Sequence, residues 1–188
     1  NVSLQATNSL GTNTAVRSAY ISVTNPVNPP LVEGFENIFL LPQNWYTENL
    51  GGNLDWTKSS QAASQGNFSM LMELYQADAN TFYNMNTTPY DLTGATTGNL
   101  SFDYSYKRFN AFTFDTLAIR ISTDCGATWV SLWEEGGNPL TTVPGNTLTS
   151  GWVPTDPSHW ETVNISIADS LLGFSGTRFQ FRAISGGG

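Results

Sequence analysis

Residues able to break a bond are scarce in this chain. The single cysteine, Cys125, and the single histidine, His159, lie far apart in sequence, and a thiol needs a base within hydrogen-bond reach to act as a nucleophile. Cys125 sits in "STDCGATW", where Asp124 and Gly126 favour a tight hairpin, so it reads as a turn residue. The helical H-E-x-x-H of a zinc peptidase needs two histidines, and there is one. A glycosidase needs two carboxylates facing one sugar. Glu134 and Glu135 are adjacent and Glu33 and Glu36 have opposite parity, so on regular strands each pair points to opposite faces. No catalytic residue is assigned, and the chain is expected not to be an enzyme.

Binding chemistry is better represented. Lys and Arg number 7 against 15 Asp and Glu, a formal net charge of −8, which repels phosphate backbones and anionic lipid. Nucleic acid is therefore not expected as a partner, and no apolar run is long enough for direct membrane insertion. A Lys-poor, acidic surface favours hard cations held by oxygen, so Ca2+ is the first cofactor to consider. Trp152 and Trp160, in the poorly patterned stretch 134–160 that also carries His159, join Tyr104 and Tyr106 as a candidate ligand-binding platform on which sugar rings would stack. The plainer alternative is that these rings cap one end of the fold. Trp45, Trp56, Trp129 and Trp133 fall on or beside strand-like runs and read as packing.

The elements that would position these groups are strands. Residues 2–24 alternate around the turn formers Asn8 and Gly11 to Asn13, which predicts a β-hairpin. Three prolines in "NPVNPP" at 25–30 cannot continue a ladder and predict a stiff connector. Beyond it, strand-like runs fall at about 31–37, 43–47, 54–58, 68–75, 81–85, 98–107, 114–123, 127–134, 160–167 and 176–184, separated by Gly, Asn and Thr clusters. Only "IADSLLG" at 167–173 suggests helix, and for one turn. Many short strands without intervening helices predict an all-β, antiparallel β-sandwich of jelly-roll type. The domains expected are a hairpin over 1–25, a Pro-rich linker over 26–30 and the jelly roll over 31–188. Strand-like alternation from the first residues suggests a fragment of something longer.

"FDTLAIRISTDCGATWVSLW" resembles the D-x-L-x-V-x-x-S-x-D-x-G-x-x-W hairpin of cleaved-adhesin and MAM-like jelly-roll domains of secreted Bacteroidetes proteins, including gingipain adhesin regions. "EGFEN…LPQNW", "GNLSFDYSY" and "TRFQFRAISGGG" are similar to other strands of that family. "TNSLGTNT" and "YISVT" resemble the last hairpin of a PKD-type immunoglobulin-like domain. The resemblance implies a non-catalytic accessory domain, secreted by the type IX route or held at the cell surface, that mediates adhesion or substrate targeting. Its partners would be a host or matrix protein, a glycan, and other domains of the same polypeptide. A carbohydrate-binding module, a spacer, an unrecognised hydrolase, and the C-terminal region of a pappalysin-like zinc peptidase are the alternatives. It also implies a calcium site in which Glu36 of the opening strand is the first carboxylate, with Asp55 in a neighbouring loop and Glu33 and Asp103 as alternative ligands. The family's closing strand and its acid would follow "SGGG". "DTL" and "DSL" resemble the O-glycosylation pattern of exported Bacteroidetes proteins, placing sugar on Ser170 or Thr116, with Ser170 preferred because strand burial would block Thr116.

Overall fold

A computed structural model of the chain describes residues 2–17, 24–75, 77–146 and 151–187. Twelve strands and two 3-10 turns make up its regular structure among these residues. The N-terminal hairpin pairs β1 (Val2–Asn8) with β2 (Gly11–Arg17) and, among the described residues, with no other strand. Asn8 Oδ1 accepts from the backbone N–H groups of Leu10 at 2.9 Å and Gly11 at 3.1 Å, the side-chain turn mimic that Asn favours. Ala19, Ile21 and Val23, expected on the second arm, lie outside the described residues. Within the Pro-rich stretch Val27 forms a parallel bridge with Tyr90, its N–H on Pro89 O and its carbonyl on Asp91 N–H, both 2.9 Å.

The main sheet is antiparallel and five strands wide along one path: β10 (Val130–Gly136), β9 (Thr116–Ser122), β12 (Ser175–Ile184), β6 (Phe82–Asn86) and β3 (Tyr46–Leu50). Short β7 (Tyr90–Asp91) pairs with the start of β12. The facing layer comes in two pieces, β4 (Thr57–Ser59) with β5 (Ser69–Leu71), and β8 (Asn99–Tyr104) with β11 (Glu161–Ser166). Alternation decides what lies between the layers. Phe179, Phe181 and Ala183 of β12 point inward, as do Tyr83 and Met85 of β6 and Ile121 of β9, into two apolar clusters. Phe102 of β8 crosses the gap to meet the rings of Phe181 and Trp133 edge-on, both at 5.6 Å. Because the second layer is split, a cleft of about 1310 Å³ opens along the inner faces of β5 and β8. The core residues lining it, such as Met70, Leu100 and Phe102, are only half-buried.

Three expected runs differ. Residues 31–37 bend instead of pairing, because Glu33 Oε1 takes the Phe35 N–H and Phe35 sits at φ 60°. The run at 43–47 starts later, as β3, since Trp45 N–H closes a turn onto Pro42 O at 3.0 Å and Asn44 takes φ 65°. The possible helical turn at 167–173 is a 3-10 turn over Asp169–Leu171.

Candidate functional site

The face of the main sheet that points away from the clusters is not an ordinary solvated surface. If Phe179, Phe181 and Ala183 face inward, then Arg178, Gln180 and Arg182 face outward. The register sets Arg182 between Asn84 and Ala118, and Gln180 between Asn86 and Arg120. Glu48 and Tyr46 continue these rows on β3, and Glu134 lies opposite Ala118 on β10. Outward-facing Asn84, Asn86 and Gln180 are nevertheless 1%, 0% and 1% exposed.

Buried amides are tolerable only when bonded, and these are. Arg120 Nη1 donates to Gln180 Oε1 at 3.1 Å, Gln180 Nε2 to Asn86 Oδ1 at 2.9 Å, and Asn86 Nδ2 to Glu48 Oε2 at 3.1 Å. This is one relay across four neighbouring strands. A second row runs from Arg182 Nε to Asn84 Oδ1 at 2.8 Å and from Asn84 Nδ2 to the same Glu48 oxygen at 3.4 Å. Above the amides each guanidinium packs on a ring: Arg178 on Tyr46 at 5.6 Å, Arg120 on Trp129 at 5.9 Å and Arg182 on Phe82 at 5.2 Å. Such contacts keep long cationic side chains in defined positions. Burial, and then the Arg120 charge, lower the Arg182 pKa, while Glu48 and Glu134 oppose that effect. Burial and Glu48 raise the Tyr46 hydroxyl.

The turn bearing Cys125 holds one wall of this face. Asp124 accepts from Ser122 Oγ at 2.7 Å, Thr128 N at 2.8 Å and Thr128 Oγ1 at 2.6 Å, which keeps its carboxyl down at about 2. Trp129 projects from that loop, and Cys125 occupies the left-handed position at φ 61°. The thiol lies beside Gly176, whereas His159 accepts the Thr155 N–H on Nδ1 at 3.1 Å and packs against Trp152 at 5.7 Å. Cys125 is a turn residue. The two acids on the face, Glu48 and Glu134, stand on β3 and β10, four inter-strand steps apart, or about 19 Å. Paired carboxylate hydrolysis needs them within about 10 Å. Glu135 points the other way, its charge acting on Tyr104.

The four aromatic residues expected as a platform all line the inter-layer cleft, in two different environments. Tyr104 is buried, packs against Phe102 and Trp133, and donates its hydroxyl to Glu161 at 3.2 Å. Tyr106 donates to Asp115 Oδ2 at 3.0 Å. Burial, together with the acid beside each, raises both hydroxyls far above the ordinary tyrosine value. Trp152 and Trp160 are half-buried on the 151–160 segment, Trp152 with Lys107 over its ring at 6.0 Å. Tyr104 and Tyr106 are thus each tied to an acid within the fold, while the tryptophans lie on the 151–160 segment. Asp115 does hydrogen-bonding work at the start of β9, holding Gly186 N–H at 2.9 Å.

Each acid expected at a calcium site has other partners. Glu36 clasps the loop before β5, accepting from Asn67 N at 2.8 Å, Phe68 N at 3.1 Å and Asn67 Nδ2 at 3.2 Å. Asp103 binds Ser64 and Thr162, Asp55 binds Thr47 and the Trp56 N–H, and Glu33 binds Phe35. Among the described residues no three His, Cys, Asp or Glu come together as a metal site. A calcium ion takes six to eight oxygens, backbone and amide carbonyls among them, whereas the partners of Glu36 here are N–H donors. Ser170 is exposed on its 3-10 turn, and Thr116 sits within the β9 ladders.

No protein-family model matches the chain, and no curated protein matches it significantly. Among solved structures it is similar to the K1 cleaved adhesin domain of Lys-gingipain from Porphyromonas gingivalis, with a TM-score of 0.52 and 16% identity over 77% of this chain and 89% of that one. The chain has the cleaved-adhesin fold. The K3 domain of the same protein aligns at TM-score 0.49 and 18% identity, over 77% and 90% of the two chains. A carbohydrate-binding module of the β-sandwich superfamily aligns at 0.49 and 11%, over 97% of this chain and 65% of its own. No described helix is long and apolar enough to cross a membrane.

Proposed function

We propose that this chain is a non-catalytic binding domain of a secreted or surface-attached protein, and that the outer face of its five-stranded sheet takes a glycan. The observation that carries this reading is the four-strand relay from Arg120 to Glu48 overlaid by ring-packed guanidiniums. Sugars need flat aromatic surfaces beside fixed donors and acceptors, and Tyr46 and Trp129 flank such a set. The adhesin and carbohydrate-binding neighbours support a binding role. Protein contact is a second reading, favoured by the exposed apolar side chains Ile38 (93%), Phe39 (68%) and Phe112 (88%).

The test is a glycan array probed with the wild type, Trp129→Ala, Trp152→Ala and a Phe39→Ser/Phe112→Ser double variant. Binding lost only in Trp129→Ala is the expected result. Binding lost only in Trp152→Ala moves the site to the 151–160 segment. No glycan bound, with matrix-protein binding lost in the double variant, overturns the glycan reading in favour of adhesion to protein.

A further inference from the structure

The same face carries a charge pattern that narrows its ligand. The chain has 7 basic residues in a background of 15 acids, yet Arg120, Arg178 and Arg182 all stand on this face. Their hydrogen bonds go to neutral oxygens: Gln180 Oε1, the Thr87 carbonyl at 2.6 Å and Asn84 Oδ1. Arg178 Nε is buried with no partner among the described residues. A guanidinium has five N–H donors, so each keeps capacity beyond the bond it makes within the chain. The face's own acids are Glu48 and Glu134 on the two edge strands and Asp124 in the turn at its wall; Glu48 is already engaged by Asn84 and Asn86, and Asp124 by Ser122 and Thr128. Along β12, Arg178 and Arg182 are four residues apart, about 13 Å of strand, with Arg120 beside Gln180 midway on β9. That line of positive charge is longer than one sugar ring.

We propose that the ligand of this face is an acidic glycan, an oligomer of sugar rings bearing carboxylates; this rests on the glycan reading above. Guanidinium and carboxylate are both planar and pair through two parallel bonds, and the rings packed beside the arginines hold them in place to do so. An anion laid along β12 also relieves the repulsion between Arg120 and Arg182. A neutral glucan offers nothing for these charges, and an extended acidic peptide leaves the Tyr46 and Trp129 rings without sugar faces to stack.

The experiment titrates hexagalacturonate, cellohexaose and hexaglutamate into the whole chain by calorimetry, at two salt concentrations. The expected result is that hexagalacturonate binds at least tenfold more tightly than the other two, weakens as salt rises, and loses at least tenfold in Arg182→Gln while Arg182→Lys retains part. Equal affinity for cellohexaose and hexagalacturonate overturns the acidic ligand and leaves the glycan reading standing. No affinity for either sugar overturns both. Hexaglutamate bound as tightly as hexagalacturonate makes the face a general anion site and also overturns the proposal. Should Arg182→Gln not fold, the salt series on the wild type decides, and an affinity indifferent to salt counts against the idea.

Discussion

Glu36 shows how a carboxylate can serve a loop. Its two oxygens gather the Asn67 and Phe68 amides, and these bonds hold its pKa below the ordinary 4.5. A depressed carboxylate contributes stability that is complete above the unfolded pKa and lost as pH falls through the folded one. The wild type is therefore expected to melt progressively lower below about pH 4.5, and Glu36→Gln to flatten that dependence. Melting with and without a chelator tests the calcium expectation: coincident curves count against it, and a chelator-dependent drop that Glu36→Ala removes supports it. The family resemblance singles out Glu36 as a calcium ligand and says nothing of a clasp. Its partners could not be read from sequence, because Asn67 lies 31 positions away, beyond β3 and β4, and no local pattern links the two.

At the scale of elements, alternation was legible and adjacency was not. "TRFQFRAI" shows a polar row, Arg178, Gln180 and Arg182, opposite an apolar one, a signal that could have flagged the outer face. What it lacks is the neighbour: only the register places Arg120 and Asn86 on either side of Gln180, and pairing between strands some sixty and ninety residues apart leaves no local trace. Nor does the sequence show that Val27 meets Tyr90, since a backbone bridge leaves no mark in residue type. Glycines give a sharper test of how the elements meet. A Cβ at Gly52 would fall 1.9 Å from the hydroxyl of Tyr83, which is fully buried. Gly52→Ala is expected to cost about 1–3 kcal/mol in denaturant unfolding, the usual range for overpacking, whereas Gly94→Ala, with open space around it but φ 79°, pays only for backbone strain. Similar losses at the two sites would mean that β3 does not approach Tyr83 as described.

For the whole molecule, the sandwich class, the long strands from β8 onward and the sparse helix were visible in composition and spacing, but the division of the second layer was not. The cleft it leaves bares Met70, Leu100 and Phe102 on one side and Phe181 on the other. A fluorescent dye that seeks apolar surface, such as ANS, is expected to bind the folded chain below its melting transition, and dye binding only after unfolding would contradict an open interior. The position of β12 has a consequence for how such a chain comes to be folded. β12 is the strand that must insert between β9 and β6. Without it the two halves of the main sheet have no common neighbour, so closure of that sheet waits on pairings distant in sequence, the kind that form slowly.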